Sequence, residues 1–195
     1  MTRLNRFALR VIAGTLKGRR LKSPTWEGLR PTSDKLRETL FNVIAPRLPG
    51  ARVLDGFAGT GALGIEALSR GAAAVTFIDR DPRAQGLIAE NLAHCGISEG
   101  YAIIRGTVAR GLETLRDSPA FVPFDIILLD PPYDQQPDEV LTSAQGVLGP
   151  RGLVVLEHER RHATPESLEH LIRVRQITSG DSALSLYEPT ASSDA

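Results

Sequence analysis

The sequence predicts an α/β fold in which a mostly parallel, seven-stranded sheet is covered by helices on both faces. Three observations predict it: apolar runs alternate with amphipathic segments from residue 51 onward, a glycine-rich turn follows the first run, and a proline-rich loop follows the fourth. The predicted strands cover 51–55, 74–79, 101–105, 124–130, 152–157 and a terminal hairpin, 173–178 with 183–187. Helices between the first five strands are predicted at 61–69, 83–95, 108–116 and 137–147.

Length and composition favour one catalytic domain with a small appendage. The chain has 195 residues, of which 42% are hydrophobic, enough for one good core. Cys95 is the single cysteine, so no intramolecular disulfide can form, and no Cys/His cluster has zinc spacing. The sequence has no run of apolar residues long enough for a membrane helix and no signal-peptide core. We therefore expect a cytoplasmic protein without a bound metal.

The net charge of zero conceals a division along the chain. Residues 1–50 hold 11 Lys and Arg against 3 Asp and Glu, whereas the remainder holds 12 against 20. The first quarter is thus about +8 and the rest about −8. Scattered surface charges could produce such a division, but the scarcity of acids favours an arm that faces a polyanion such as a nucleic acid backbone.

The first 30 residues are predicted to form this arm. Residues 10–14 and 18–21 flank a short segment between two glycines, which indicates a hairpin carrying basic side chains. The arm's expected contacts with a phosphate backbone are Lys17, Arg19, Arg20 and Arg30. A helix capped by Thr32 or Ser33 then opens the main domain, which extends over 31–188, and the polar residues 189–195 are expected to be disordered.

The turn after the first strand predicts the cofactor. Gly59, Gly61 and Gly64 have the spacing of a dinucleotide-binding turn, and Asp79 follows about 20 residues later. A nicotinamide dinucleotide is disfavoured, however, because Asp55 would place a negative charge near the pyrophosphate. S-adenosylmethionine fits better, since it has no phosphates and carries a positive amino group from which the Asp55 carboxylate can accept hydrogen bonds. Asp79 would then bind the ribose hydroxyls.

The loop after the fourth strand predicts the acceptor. Asp130 offers oxygen acceptors, Pro131 and Pro132 supply carbonyls in a rigid backbone, and Tyr133 offers an aromatic face. These groups suit a flat ring that bears an amine, although a plain proline-rich turn is the alternative. Two carbonyl or carboxylate oxygens could accept the amine hydrogens and direct its lone pair toward a methyl group, while the ring of Tyr133 stacks on the base.

Four segments together resemble the RsmD family of bacterial 16S rRNA (guanine-N2)-methyltransferases. They are Arg30-Pro31-Thr32, 37–42, 55–71 and 130–133, and the likeness extends from about Arg10 to Glu188. The resemblance implies a class I, Rossmann-like methyltransferase fold that acts as a monomer with S-adenosylmethionine on a guanine of 16S rRNA, in the assembled or assembling small subunit. It implies catalytic roles for Asp130, Pro131, Pro132 and Tyr133, and cofactor contacts at Asp55, Phe57, Ala58, Gly59, Gly61 and Asp79. The chain departs from the family at 105–108, where many relatives carry an Asp or Asn toward the adenine, so backbone groups or Thr107 are expected to contact the adenine here.

Other functions remain open at this point. A DNA adenine-N6 methyltransferase could use the same four loop residues, because adenine also presents an exocyclic amine; no separate target-recognition domain is visible in the sequence. A non-catalytic binder of S-adenosylmethionine or RNA would not need Asp130 and Tyr133 together. Arg37 is equally compatible with a surface pair and with a role near substrate or cofactor. His158, at the end of the fifth strand, is expected to be structural rather than part of the acceptor pocket.

Overall fold

A computed structural model describes residues 9–26, 34–132 and 135–190. Within them, strands β1 to β8 cover Arg52–Gly56, Ala74–Asp79, Tyr101–Arg105, Phe124–Leu129, Leu148–Glu159, Ser167–Leu168, Leu171–Ser179 and Ser182–Pro189. Helices α1 to α5 cover Asp34–Ile44, Ala62–Ser69, Pro82–Cys95, Val108–Arg116 and Pro137–Gln145, and a short 3-10 helix covers Ala45–Arg47. None of these helices has both the length and the apolar composition that crossing a bilayer requires.

The strands form one sheet in the order β3-β2-β1-β4-β5-β8-β7-β6. Strands β1 to β5 pair with one another in parallel, whereas the pairs β5–β8, β8–β7 and β7–β6 are antiparallel. The predicted α/β fold is thus confirmed. The sheet has eight strands rather than the predicted seven because β6 contains only two residues, too few to show an alternating pattern.

The strand order switches at β1, which lies between β2 and β4: β2 and β3 are added on one side of β1, and β4 and β5 on the other. Gly56 at the end of β1 pairs with Leu129 at the end of β4. The segments that follow these two strands therefore start side by side at one edge of the sheet. In open parallel sheets this switch point is where ligands bind.

Alternate residues of the central strands bury into two separate cores. Val53, Ile126 and Val155 pack on the face covered by α1, α2 and α3. Leu54 and Ile127 pack on the opposite face against α4 and α5. A strand buried on both faces needs a continuous apolar run, which explains why these strands were recognisable in the sequence.

Polar side chains cap the starts of α3 and α4, of which the sequence predicts only the first, because Asp81 precedes Pro82. Asp81 precedes Pro82, and its side chain accepts a hydrogen bond from the Arg83 backbone N–H at 2.9 Å. Thr107 has the same role at α4, where its hydroxyl accepts from the Arg110 N–H at 3.4 Å. Side chains of this kind satisfy N–H groups that have no partner within the helix.

The segment before α1 doubles back on itself, although it forms no regular strand. The Val11 N–H donates to the Arg19 carbonyl and the Leu21 N–H to the Leu9 carbonyl, while Arg10 and Arg20 form an isolated antiparallel bridge. The side chains of Leu9, Val11 and Leu21 are buried in the core that also holds α1 and α2. The arm and the main domain therefore share one hydrophobic core.

The carboxyl-terminal hairpin is longer than expected. Pro189 still belongs to β8, opposite Leu171, and the Thr190 N–H donates to the His170 carbonyl at 3.0 Å. The prediction that disorder begins at residue 189 is therefore wrong for residues 189 and 190, because the sheet supplies their backbone with partners. Residues 191–195 lie outside the described part of the chain, as do Arg30, Thr32, Ser33 and Tyr133.

Candidate active site

A sharp turn between β1 and α2 forms the floor of the site. Phe57 has a φ of 62° and Gly61 a φ of 75°, so the backbone reverses within a few residues. Gly64 is needed for a different reason: a Cβ there would lie 2.2 Å from the Phe77 ring. The glycine pattern therefore combines a left-handed backbone at Gly61 with close packing of α2 against β2.

Asp55 lies near the end of β1, where it is buried and only 1% exposed. One carboxyl oxygen accepts a hydrogen bond from the Gly64 N–H at 2.8 Å. Burial, with a smaller contribution from the nearby carboxylates of Asp130 and Asp79, raises the pKa of Asp55 to about 8, against the opposing effect of the Gly64 hydrogen bond. A positive group next to Asp55 would stabilise its ionised form, so this position suits an ammonium ion.

Asp79, at the end of β2, holds the glycine turn in place. One of its carboxyl oxygens accepts from the Gly59 N–H and the other from the Asp81 N–H, both at 2.8 Å. These bonds tie the ends of β1 and β2 together. They also orient the carboxylate toward the space between the strands, where further hydrogen bonds can be accepted from hydroxyl groups.

A cavity of about 720 Å³ opens at this edge of the sheet. It brings together nearly all of the predicted site residues that the structure describes: Asp55, Phe57, Ala58, Gly59, Asp79, Thr107, Asp130, Pro131 and Pro132. Gly61 does not line it; its role is to shape the turn, because a Cβ at this position would lie 3.2 Å from Ile88. Tyr133 lies outside the described residues.

Other lining residues were missed or left undecided by the sequence. Trp26 lies over the Arg83 guanidinium at 5.0 Å from the ring centroid and forms one wall. The turn between β7 and β8 forms another through Gly180 and Asp181. That turn was predicted, but its position depends on β8 pairing with β5, which the local sequence does not indicate. Arg37 of α1 also lines the cavity.

His158 is structural, as expected. Its Nδ1–H donates to the Glu159 carbonyl at 2.8 Å, and its Nε2 lies 2.9 Å from the Ser185 hydroxyl. Burial lowers the pKa of His158, so the neutral ring is favoured. The neighbouring Glu157, by contrast, lines the cavity.

The basic side chains of the arm lie on the surface. Lys17, Arg19 and Arg20 are exposed, and Lys17 lies in the turn that closes the hairpin. Arg19 lies near enough to Cys95 to influence the pKa of its thiol. The expected contact at Arg30 falls outside the described residues.

The family described as "Conserved hypothetical protein 95" matches residues 9–188. The chain is 36% identical over 186 residues to "Ribosomal RNA small subunit methyltransferase D" from Escherichia coli (strain K12), covering 94% of this chain and 91% of that protein. The chain belongs to the RsmD family. The family match includes the hairpin segment, the glycine turn and the loop at Asp130.

Two further comparisons agree with membership of the RsmD family. A Bacillus subtilis (strain 168) relative named "Putative rRNA methyltransferase YlbH" is 37% identical over 183 residues, which are 92% of this chain and 98% of that protein. A solved Escherichia coli structure described as "Putative methyltransferase yhhF" has a TM-score of 0.80 and 30% identity, covering 94% of this chain and 99% of that one. The predicted methyltransferase fold is therefore confirmed.

The cavity of this RsmD-family chain fits S-adenosylmethionine. Its volume of about 720 Å³ lies within the usual range for small-molecule sites, roughly 300–1,000 Å³. The carboxyl group of Asp55 is suited to bind the amino group of S-adenosylmethionine. The carboxylate of Asp79, next to the turn, is suited to accept hydrogen bonds from its ribose hydroxyls. Thr107 and the backbone around it line the side toward β3, where the adenine is expected. The structure thus supports S-adenosylmethionine as the cofactor.

Proposed function

We propose that this protein transfers a methyl group from S-adenosylmethionine to the exocyclic N2 amine of a guanine in 16S rRNA of the small ribosomal subunit. One observation carries the proposal: Asp130 and Pro131 line the same cavity as Asp55 and Asp79. A donor site and an amine-binding loop therefore share one enclosed space.

The loop residues act on the acceptor amine. Its nitrogen lone pair is conjugated with the guanine ring, so the free amine is a weak nucleophile. The Asp130 carboxylate and the Pro131 carbonyl accept the two amine hydrogens, which favours a pyramidal nitrogen with its lone pair directed at the methyl group. The Asp130 carboxylate then receives the proton that the methylated amine releases. S-adenosylmethionine supplies the methyl group on a positive sulfur, which makes metal assistance unnecessary.

The arm contributes the contact with RNA. The exposed cations Lys17, Arg19 and Arg20 offer electrostatic attraction to phosphates, which supplies most of the affinity of proteins for a nucleic acid backbone. Relatives of the same length are named as rRNA small subunit methyltransferases, which supports a ribosomal RNA as the acceptor. Tyr133 is proposed to stack on the guanine once the base has left its own stack.

A direct assay of the modified nucleoside tests the proposal. Labelled S-adenosylmethionine is offered with small subunits that lack the modification, with naked 16S rRNA and with duplex DNA. We expect N2-methylguanine in the RNA of the subunits or of the naked transcript. N6-methyladenine in the DNA, without N2-methylguanine in either RNA, would overturn the proposal in favour of a DNA adenine methyltransferase.

A further inference from the structure

Glu157 is a carboxylate of the cavity wall that has no role in the proposed methyl transfer. It lies near the end of β5, is half-buried and lines the cavity together with Asp130. Leu129 of β4 pairs with Leu156 of β5 in parallel register, and Asp130 and Glu157 directly follow this pair. The two carboxylates therefore lie on neighbouring strands, at the same level of the sheet edge.

Both carboxylates project from the same face of the sheet. Leu129 and Leu156 are buried in the core beneath α4 and α5. Successive side chains of a strand alternate between its faces, so Asp130 and Glu157 project from the opposite face, which α1, α2 and α3 cover. Asp55 of β1 projects from this face as well, because the residue before it is buried on the side of α4 and α5. The cofactor site and the two carboxylates thus share one face of the sheet.

The order of the strands separates a donor side of the cavity from an acceptor side. Strands β2, β1, β4 and β5 are neighbours in this order, and near their carboxyl ends they carry Asp79, Asp55, Asp130 and Glu157. The first two suit S-adenosylmethionine, and Asp130 suits the amine that receives the methyl group. Neighbouring strands are about 4.8 Å apart, so Glu157 lies one such spacing beyond Asp130, on the side away from the cofactor. The acceptor base must occupy this side.

A carboxylate beside an RNA substrate needs a hydrogen-bond donor from a base. The phosphates of RNA are negative and repel a carboxylate, so the backbone cannot be its partner. Guanine has a ring N1–H directly beside its N2 amine, whereas adenine has a bare ring nitrogen, an acceptor, beside its N6 amine. A second carboxylate next to the amine site therefore attracts the guanine edge and repels the adenine edge.

We propose that Glu157 accepts a hydrogen bond from the N1–H of the target guanine and thereby selects guanine over adenine. The Asp130 carboxylate and the Pro131 carbonyl hold the N2 amine, while Glu157 holds the ring donor beside it. A base that has left its own stack presents this edge to the protein. The inference rests on the proposed function, because it takes a purine amine in RNA as the methyl acceptor.

Replacing the target guanine by 2-aminopurine tests the inference, because this base keeps the N2 amine but has no N1–H. The 16S rRNA is ligated from segments, one of which carries guanine or 2-aminopurine at the methylated position, and is offered naked and in reconstituted small subunits. Single-turnover rates with saturating S-adenosylmethionine give the ratio of the guanine rate to the 2-aminopurine rate. This ratio should be about ten- to a hundredfold larger for the native protein than for Glu157→Ala, as expected for one charged hydrogen bond.

The comparison of two ratios isolates the N1–H contact. The two bases differ in intrinsic reactivity and in stacking, but these differences are the same for both proteins and cancel. Glu157→Gln should keep part of the preference, because its amide oxygen still accepts from N1–H without the charge. Glu99→Ala is the matched control and should keep the native ratio, since Glu99 is an exposed carboxylate just before β3, at the opposite edge of the sheet.

A ratio that is unchanged in Glu157→Ala would overturn the inference, even if both rates fall, because the role of Glu157 would then not depend on N1–H. If Glu157→Ala does not fold, the native protein and Glu157→Gln decide in the same way. Failure of the proposed function has a different signature. In that case no N2-methylguanine forms in the guanine-containing RNA with the native protein, and the inference fails with it.

Discussion

At the residue scale, the site depends on side chains whose surroundings shift their pKa values. Asp55 is buried without a cationic partner among the contacts described, and its pKa of about 8 keeps the carboxyl group protonated at neutral pH. Such a group binds an ammonium ion at the expense of the stability of the free protein. Binding sites commonly concentrate this kind of destabilising arrangement.

Asp55→Asn should make the free protein more stable while weakening its binding of S-adenosylmethionine. The folded pKa of about 8 lies above the ordinary 3.8, so the native stability contributed by the protonated carboxyl is complete below about pH 4 and is lost as the pH rises toward 8. Asparagine cannot ionise and avoids this loss. The Tm difference between variant and native protein should therefore grow by at least about 2–4 °C between pH 5 and 8.

Scanning calorimetry of both proteins at several pH values measures this difference. Every other titrating group is shared, so its effect largely cancels in the comparison, with Asp130 and Asp79, which interact with Asp55, contributing the smaller remainder. A difference that stays constant from pH 5 to 8 would show that Asp55 is ionised in the folded protein at neutral pH.

Asp130→Ala should remove most methyl transfer and leave S-adenosylmethionine binding intact. The variant loses the carboxylate that accepts an amine hydrogen, a charged hydrogen bond whose loss should slow the reaction about ten- to a hundredfold. Single-turnover rates and calorimetric affinities separate the two effects. Asp117→Ala, which removes a carboxylate 75% exposed at the end of α4, is the control. Equal losses of rate and cofactor affinity would contradict the assigned role.

At the scale of elements, α2 anchors the hairpin segment through one buried carboxylate. Glu66 is fully buried, and its two oxygens accept from the Ile12 N–H at 2.7 Å and the Ala13 N–H at 3.0 Å. Arg70 donates to the same carboxylate at 2.7 Å. Ser69 adds a second attachment, since its hydroxyl accepts from the Leu16 N–H at 3.0 Å. These bonds hold the arm beside α2, at the edge of the cavity.

Glu66→Ala should destabilise the protein and loosen the arm. It leaves Arg70 without its buried partner and two backbone N–H groups without acceptors, which typically costs about 3–5 kcal/mol in the free energy of unfolding. Urea denaturation measures this loss, and limited proteolysis should show earlier cleavage before α1. The control is Glu113→Ala, which removes an exposed carboxylate from α4. Similar unfolding free energies for the two variants would contradict the anchoring role.

At the scale of the whole molecule, the division of charge gives the protein a basic region and an acidic region. The positive first quarter includes the exposed hairpin, and the acidic remainder supplies the carboxylates that line the cavity. An acidic cavity attracts a positively charged cofactor, while a basic arm attracts a polyanion. One neutral chain can thus bind two ligands of opposite charge.

Neutralising the arm should weaken RNA binding and its dependence on salt together. Lys17→Gln, Arg19→Gln and Arg20→Gln combined should reduce the slope of log affinity against log salt by about 2–3, close to one for each lost phosphate contact. Filter binding over a range of salt concentrations measures the slope. A control with Arg110, Arg151 and Arg175 replaced by Gln removes the same charge from exposed positions elsewhere. Equal slopes for the two triple variants would place the RNA contact outside the arm.

The sequence by itself determined the central strands, their helices and the two motifs of the site. Val53 and Ile127 belong to short apolar runs, 53–54 and 126–129, which are buried because both faces of these strands are covered, and such runs stand out from their surroundings. The turn at Gly61 and the cap at Asp81 were also visible, since each depends on a local backbone requirement. Features that depend only on residues adjacent in the chain can be predicted from the sequence.

Only the tertiary structure decided how distant segments meet at the cavity. Trp26, Arg37 and Asp181 line it although they lie far apart in the chain, and neither Trp26 nor Asp181 belongs to a recognised motif. Arg37 lines the cavity because α1 packs beside the hairpin segment, and the wall at Asp181 exists because β8 pairs with β5. Contacts of this kind depend on the relative placement of whole elements, which the pattern of residues within each element does not specify.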